Sequence, residues 1–195
     1  QRLEKINIHS DNLVKFINDL LDIARIESGR VDLNLEKCSL AALIENTHDL
    51  LIPQMKEKNI QWVSEIDTQL PSLLIDKNQI DRVFINLIGN AIKFTPAQGT
   101  IHVTAKKSNN DILAKISDTG IGIKEEDLSK IFNEFYRAEN PINQNVKGTG
   151  LGLTLARKII EAHGGKIWVT SKLNEGTTFH FTLPIIKEID SSAVF

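Results

Sequence analysis

The stretch KGTGLGLTLA, Lys147 to Ala156, sets Gly148, Gly150 and Gly152 at alternate positions and then runs straight into an apolar helical pattern. Glycine lets the backbone come close to a ligand, and the first turn of a helix carries unpaired amide N–H groups with partial positive charge. Phosphate is therefore a natural guest at such a junction, a loop that merely turns tightly before a helix being the plain alternative. Two familiar phosphate loops do not fit. A dinucleotide fingerprint needs GxGxxG directly after a strand, whereas the spacing here is GxGxG after the polar run ENPINQNVK. The only Gly-Lys pair, Gly165-Lys166, is followed by Ile167 rather than Ser or Thr, so there is no Walker loop.

Outward from this junction, helices alternate with hairpins. Asp76 with Gln79 forms a capping box that opens a helix from Lys77 to Phe94, and Pro96 closes it. Thr100 to Lys107 and Asp111 to Ser117 alternate apolar with polar residues and meet across Asn109-Asn110 as a hairpin. After the glycine-rich helix, GKIWVTSK and TTFHFTLPI form a second hairpin, turning at Asn174 to Gly176. Upstream, Val31, Leu33 and Leu35 alternate as a short strand, Ser39 caps a helix running to about Lys58 with Pro53 inside it, and IQWVSEI reads as another strand. Such an order predicts a mixed sheet with helices on one face, a two-layer α/β sandwich. Arg137 to Lys147, rich in Asn and without periodicity, reads as a mobile loop.

A long helix precedes this sandwich. Leu3, Ile6, Ser10, Leu13, Ile17, Leu20 and Ala24 fall alternately three and four apart, the spacing of a bundle seam, and Val14, Leu21 and Ile23 widen it beyond what one partner would cover. The plainer alternative is an amphipathic helix folded onto the domain behind it. ESGR, Glu27 to Arg30, ends the helix with a glycine. No start signal precedes it and the chain opens at Gln1, so a piece of a longer protein is expected. The division that follows is a bundle helix over 1–30, an α/β domain over 31–188 and a tail over 189–195.

Composition narrows the class. At 195 residues, 41% hydrophobic and 25% charged, the chain suits one soluble domain plus an appended element, and a net charge of −2 gives no reason to expect nucleic acid. A single cysteine, Cys38, allows no internal disulfide and suits a reducing compartment. Without a signal sequence or a run of membrane-spanning length, a cytoplasmic domain is expected, while the parent could still be anchored in the cell membrane.

Two further groups carry candidate chemistry. On the helix after Asp76, Arg82, Asn86, Asn90 and Lys93 lie three or four apart and line up as a polar stripe opposite Ile80, Val83, Phe84, Leu87 and Ala91. Amide oxygens suit magnesium shared with substrate phosphates, and a lysine one turn on can meet those phosphates; a solvated helix face is the alternative. In SDTGIGI, which follows an apolar strand, Asp118 is the only charge, and Gly120 and Gly122 let the chain turn back on a pocket. A carboxylate there can accept an exocyclic amine, or simply cap a tight turn.

In this order the motifs resemble the ATP-binding domain of sensor histidine kinases, of the Bergerat type. NLIGNAIKFTP is similar to its N box, DTGIG to the G1 box, IFNEFYR to the F box, GTGLGL to the G2 box, and EGTTFHFTLP to the last glycine box and strand. INDLLDIARIESGRVDLNLE resembles the second dimerisation helix leading into that domain. The resemblance implies that Asp118 holds the adenine amino group, that Gly120 and Gly122 shape its pocket, and that Thr177 supports the base through water. It implies that Asn90 binds Mg2+ with Asn86 beside it and that Lys93 faces the phosphates. Arg137 and Lys147 would reach the terminal phosphates, Tyr136 of the F box would join the nucleotide site, and Gly148, Thr149, Gly150, Leu151 and Gly152 would wrap the phosphate chain. Phe132 and Phe135 are expected to anchor the lid by packing onto the domain.

The wider ATPase superfamily, gyrase and the large chaperones included, carries a glutamate general base four residues before the metal asparagine, where this chain has Asn86. A neutral amide takes no proton from water, so transfer to another acceptor is favoured over hydrolysis. The family's acceptor histidine, followed by an acidic residue and LRTP, is missing; of His9, His48, His102, His163 and His180 only His9 lies on the bundle helix, and His163 reads as a helix end. The expectation is a histidine kinase catalytic domain that binds ATP but does not phosphorylate itself. Its partners would be its own dimerisation helix with the acceptor histidine, a second copy in the full-length homodimer, and a response regulator receiver domain. A nucleotide-holding module without transfer, or an ATP-hydrolysing clamp, are the alternatives.

Overall fold

The computed structural model describes residues 2–28, 33–138 and 148–185, with the side chains of residues 2–9, 11–12 and 15 outside that description. Helix α1 (Arg2–Glu27) is followed by β1 (Glu36–Cys38), α2 (Leu40–Glu57), β2 (Gln61–Ile66), β3 (Leu73–Ile75) and α3 (Lys77–Phe94). Then come β4 (Thr100–Ser108), β5 (Asp111–Asp118), a single turn α4 (Glu125–Leu128), α5 (Gly152–Ala162), β6 (Lys166–Lys172) and β7 (Gly176–Pro184). The main sheet has the order β2-β4-β5-β7-β6, with β2 parallel to β4 and every other pair antiparallel. It is the mixed sheet that the alternation of helices and hairpins predicts.

Strict alternation decides which face is dry. Ile101, Val103 and Ala105 of β4, Ile112, Ala114 and Ile116 of β5, and Phe179, Phe181 and Leu183 of β7 are buried, while the residues between them are half-buried. Onto this face α3 lays Ile80, Val83, Phe84, Leu87 and Ile88, and α5 lays Leu155, Ala156, Ile159 and Ile160. Phe84 meets Phe181 edge to face at 5.5 Å, and α2 packs beside α3. The result is the expected two-layer α/β sandwich.

The helix ends follow local chemistry, with one substitution of partner. Ser39 caps α2 by accepting from the Ala42 N–H, and Asp76 caps α3 by accepting from the Gln79 N–H at 3.1 Å. The return half of the capping box is not made. The Asp76 N–H instead donates to His163 Nε2 at 3.0 Å, and Gln79 Oε1 is left buried without a hydrogen-bond partner. His163 ends α5 as expected, and its Nδ1 sits 2.8 Å from the Ile159 carbonyl, so Nδ1 carries the hydrogen and Nε2 accepts. One buried imidazole thereby ties the start of α3 to the end of α5.

Two further expectations need correction. The short strand does not run over Val31 to Leu35: residues 33–35 form no ladder, Val31 lies outside the described residues, and β1 occupies Glu36–Cys38. Its place is set by an unforeseen partner, β3, in the antiparallel register Glu36↔Ile75 and Cys38↔Leu73, which leaves Leu35 exposed. On α1, Ile23 does not widen the seam. It is 2% exposed and packs into the domain core with Phe16 and Ile26 beside it, while Leu13, Val14, Ile17, Leu20 and Leu21 remain 40–58% exposed. The docked face fits the amphipathic-helix reading, and the exposed apolar face is the one on which the bundle seam is expected. Glu27 adds an ion pair to Lys158 of α5 at 3.0 Å. The side chains of Leu3, Ile6 and His9, the loop over 139–147 with Lys147, and the tail over 189–195 lie outside the described residues. Among the described residues no helix is long and apolar enough to cross a membrane.

Candidate active site

A cavity of about 510 Å³ opens between α3, the loop after β5, the segment after α4 and the first turn of α5. That size lies within the range of ~300–1,000 Å³ usual for small-molecule sites. Its two ends differ in chemistry.

At one end stands Asp118, the last residue of β5, 9% exposed. Its Oδ1 accepts from the Gly120 N–H at 2.8 Å. Burial pushes its carboxyl up to about 6, and the backbone N–H groups of Gly120 and Thr177 hold it from rising further. The walls beside it are apolar: Ile121 and Ile123 from the loop after β5, Ile131, and Phe179 from β7. A flat, apolar ring bearing a hydrogen-bond donor on its edge suits such a slot. Gly122 makes the wall possible. Its φ is +68°, and a Cβ there would stand 2.0 Å from the Lys172 carbonyl oxygen, so no other residue fits without moving β6.

At the other end, Asn86, Asn90 and Lys93 of α3 face Arg137 and the glycine loop. A Cβ on Gly152 would lie 3.1 Å from Asn86 Oδ1, and one on Gly148 3.1 Å from Lys93 Nζ, so the loop lies directly on the α3 stripe. Burial, and after it the Arg137 charge, lowers the Lys93 ammonium below its ordinary range. Arg137 reaches the Gly148 carbonyl at 3.3 Å, and Thr149 Oγ1 accepts from the Leu151 N–H at 3.3 Å. No side chain caps the N-terminus of α5, whose first residues Gly152 and Leu153 line the cavity. Two cations and an uncapped helix N-terminus at one end of a cavity call for an anion.

Most of the residues singled out from the sequence meet here. Asn86, Asn90, Lys93, Asp118, Gly122, Tyr136, Arg137, Gly148, Thr149, Gly150, Gly152 and Thr177 line the cavity. Gly120 acts through its N–H on Asp118, and Leu151 is fully buried behind the loop rather than lining it. The Tyr136 hydroxyl donates to the buried carboxylate of Asp127 at 2.7 Å. Phe132 packs as expected, edge to face with Phe179 at 6.3 Å. Phe135 does not: it is 55% exposed with φ +60°, and its backbone abuts Gly150. Two features escaped the sequence reading. Asp19 of α1 lines the cavity while bonded to Arg82 at 3.0 Å, and Ser171 of β6 underlies Thr177. Asp19 lies too far along the chain for any local signal; Ser171 is an inward polar residue in an otherwise apolar alternation, and that was visible.

Residues 75–187 match the family described as histidine kinase-, DNA gyrase B-, and HSP90-like ATPase, and the chain belongs to that family. Within it the likeness is to histidine kinases. The chain is 36% identical over 172 residues to the adaptive-response sensory kinase SasA of Synechococcus sp. (strain JA-3-3Ab), covering 88% of this chain and 45% of that protein. The nucleotide-free catalytic domain of histidine kinase ThkA superposes with a TM-score of 0.69 at 33% identity, over 78% of this chain and 96% of that one. Full-length ShkA in complex with AMPPNP superposes with a TM-score of 0.83 at 27% identity, over 94% of this chain and 38% of that one. ThkA has also been solved in complex with a response regulator protein, TrrA. The chain thus spans under half the length of the curated kinase it is compared with.

Proposed function

We propose that this chain is the ATP-binding catalytic domain of a sensor histidine kinase, delivering the γ-phosphoryl group to a histidine on a dimerisation helix outside the chain, for relay to a response-regulator aspartate. The observation that carries the reading is the polarity of the cavity. A carboxylate acceptor in an apolar slot stands at one end, and Lys93, Arg137 and the α5 N-terminus stand at the other. Adenine at the first end and a triphosphate at the second satisfy both.

Asn86 occupies the place where a hydrolytic site needs a base, and its amide cannot take a proton from water. The cavity's other carboxylate, Asp19, is engaged by the Arg82 guanidinium. Positioning and charge neutralisation therefore remain as the means of catalysis, and they suffice for transfer to an acceptor brought in from outside. Asn90, with Asn86 beside it, would hold Mg2+. Among the described residues no cluster of His, Cys, Asp or Glu could cage a metal, which fits an ion that takes its other ligands from phosphate and water. When bound, the ion would neutralise phosphate charge.

The likeness to ThkA, solved with a response regulator, and the exposed apolar stripe on α1 support a receiver domain and a dimerisation helix as partners in a homodimeric full-length protein. A cytoplasmic setting with a membrane-anchored parent is consistent with this role. The test is titration with ATP, with and without magnesium, of wild type, Asp118→Ala and Asn90→Ala. Binding by wild type, its loss in Asp118→Ala, and loss mainly of the magnesium dependence in Asn90→Ala are expected. No binding at millimolar ATP would overturn the reading; steady phosphate release, lost in Asn86→Ala, would favour an ATP-hydrolysing clamp.

A further inference from the structure

At the end of the sheet nearest the cavity, the ladder brings Asp118, Thr177 and Ser171 into one row, each the direct partner of the next across β5, β7 and β6. The following row is apolar: Ile116, Phe179 and Val169. Three polar residues side by side on a dry face need their hydrogens accounted for.

Ser171 permits that accounting. Its Oγ lies 2.7 Å from the Gly176 carbonyl, 2.9 Å from the Ile123 N–H and 2.9 Å from Thr177 Oγ1. A carbonyl only accepts, so the one hydroxyl hydrogen of Ser171 goes to Gly176; an N–H only donates, so Ile123 takes one lone pair. The remaining contact can be made only if Thr177 donates to Ser171. Thr177 then has no hydrogen left, and whatever its Oγ1 shows the cavity is a lone pair. Asp118 beside it, when ionised, is also an acceptor only.

We infer that Ser171 is a positioning and specificity-determining residue: by consuming the Thr177 hydrogen it makes the base end of the cavity an all-acceptor surface. For a purine seated with its 6-substituent on this surface, a 6-amino donor is then preferred to a 6-oxo acceptor. This rests on the nucleotide reading above. Opposing two acceptors costs more than a donor meeting an acceptor gains, which is why such a polarity discriminates. In Ser171→Ala the Thr177 hydroxyl is released and can turn its hydrogen toward a 6-oxo group.

The experiment compares affinities for ATP and for inosine triphosphate in wild type, Ser171→Ala, Ser171→Thr and Thr177→Val. Wild type should prefer ATP. In Ser171→Ala the ratio of the two affinities should fall about tenfold, the size of one hydrogen bond changing sign. Ser171→Thr keeps the hydroxyl and should keep the ratio. Thr177→Val removes both the lone pair and the hydrogen and should also compress the ratio, without requiring Ser171→Ala to fold well. If Ser171→Ala and Thr177→Val weaken both nucleotides equally, Ser171 only supports the loop and the inference is wrong. Failure of wild type to bind either nucleotide would instead overturn the underlying nucleotide reading, and this inference with it.

Discussion

Asp118 accepts an amine most strongly as the carboxylate, yet burial opposes its charge and lifts its carboxyl to about 6. Nucleotide that needs the carboxylate must therefore expel a proton below that pH. Affinity should be flat above neutrality and fall as pH drops below the Asp118 value, by at most about tenfold per unit. Calorimetric titration from pH 5 to 8 checks this, and an affinity indifferent to pH over that range would count against Asp118 as the acceptor. The same shift acts on stability with a definite sign. A carboxyl raised in the folded state favours folding at acid pH and loses that advantage as pH rises from its unfolded value of 3.8 to about 6. Asp118→Asn should thus be more stable than wild type by roughly 1–3 kcal/mol at pH 7.5, with the gap closing near pH 4, in denaturant melts. Asp118 was legible because it is the only charge in SDTGIGI. Its pKa was not, since desolvation comes from Ile121, Phe179 and other walls that local sequence does not assemble.

Helix α3 brings Asn86, Asn90 and Lys93 to the proposed phosphate end, and its own ends are held from outside. The carbonyls of Ile92, Lys93 and Thr95 all accept from the Lys58 ammonium, at 2.7, 3.0 and 3.1 Å. The Phe94 carbonyl accepts from the Ile121 N–H at 3.3 Å. A cation at the C-terminus of a helix also opposes its dipole. Lys58→Met should cost about 1–3 kcal/mol, as charge-assisted hydrogen bonds do. Because Lys93 and Phe94 line the cavity, ATP affinity should fall several-fold as well. Unchanged stability and affinity would show that Lys58 is incidental. The N-terminal cap of α3 was legible because Asp76 and Gln79 are three residues apart, whereas Lys58 lies 34 residues before the first carbonyl it holds. The return half of the capping box was misread for the same reason, His163 being 87 residues from Asp76. The short pair β1 and β3 escaped because three residues are too few to show a period, so the register came from the partner.

Across the whole molecule, the informative contact is between α1 and the sandwich. Arg82 of α3 bonds Asp19 and Asp22 of α1, while Asp19, 5% exposed, also borders the cavity. The heptad spacing showed that α1 has an apolar face, and that face is exposed; the docking face depends on Arg82, which read only as part of a polar stripe. The pair is asymmetric. Removing the guanidinium leaves a buried carboxylate uncompensated, which is costly, whereas neutralising the acids leaves a half-buried cation that water can reach. Arg82→Met should therefore release α1 more than Asp19→Asn with Asp22→Asn does. Hydrogen exchange reads this directly: α1 amides around Asp19 should lose protection in Arg82→Met while those of β4 and β5 keep theirs. Asp19→Asn alone removes a negative charge from the cavity wall but keeps an oxygen for Arg82. Its ATP affinity should rise about threefold, the scale of one unit charge acting through a partly hydrated cavity. Unaltered α1 protection in Arg82→Met would mean that Ile23 and the Lys158–Glu27 pair hold the helix without this contact. Unaltered affinity in Asp19→Asn would mean that the carboxylate is already neutralised by Arg82, and that α1 docks without acting on the nucleotide.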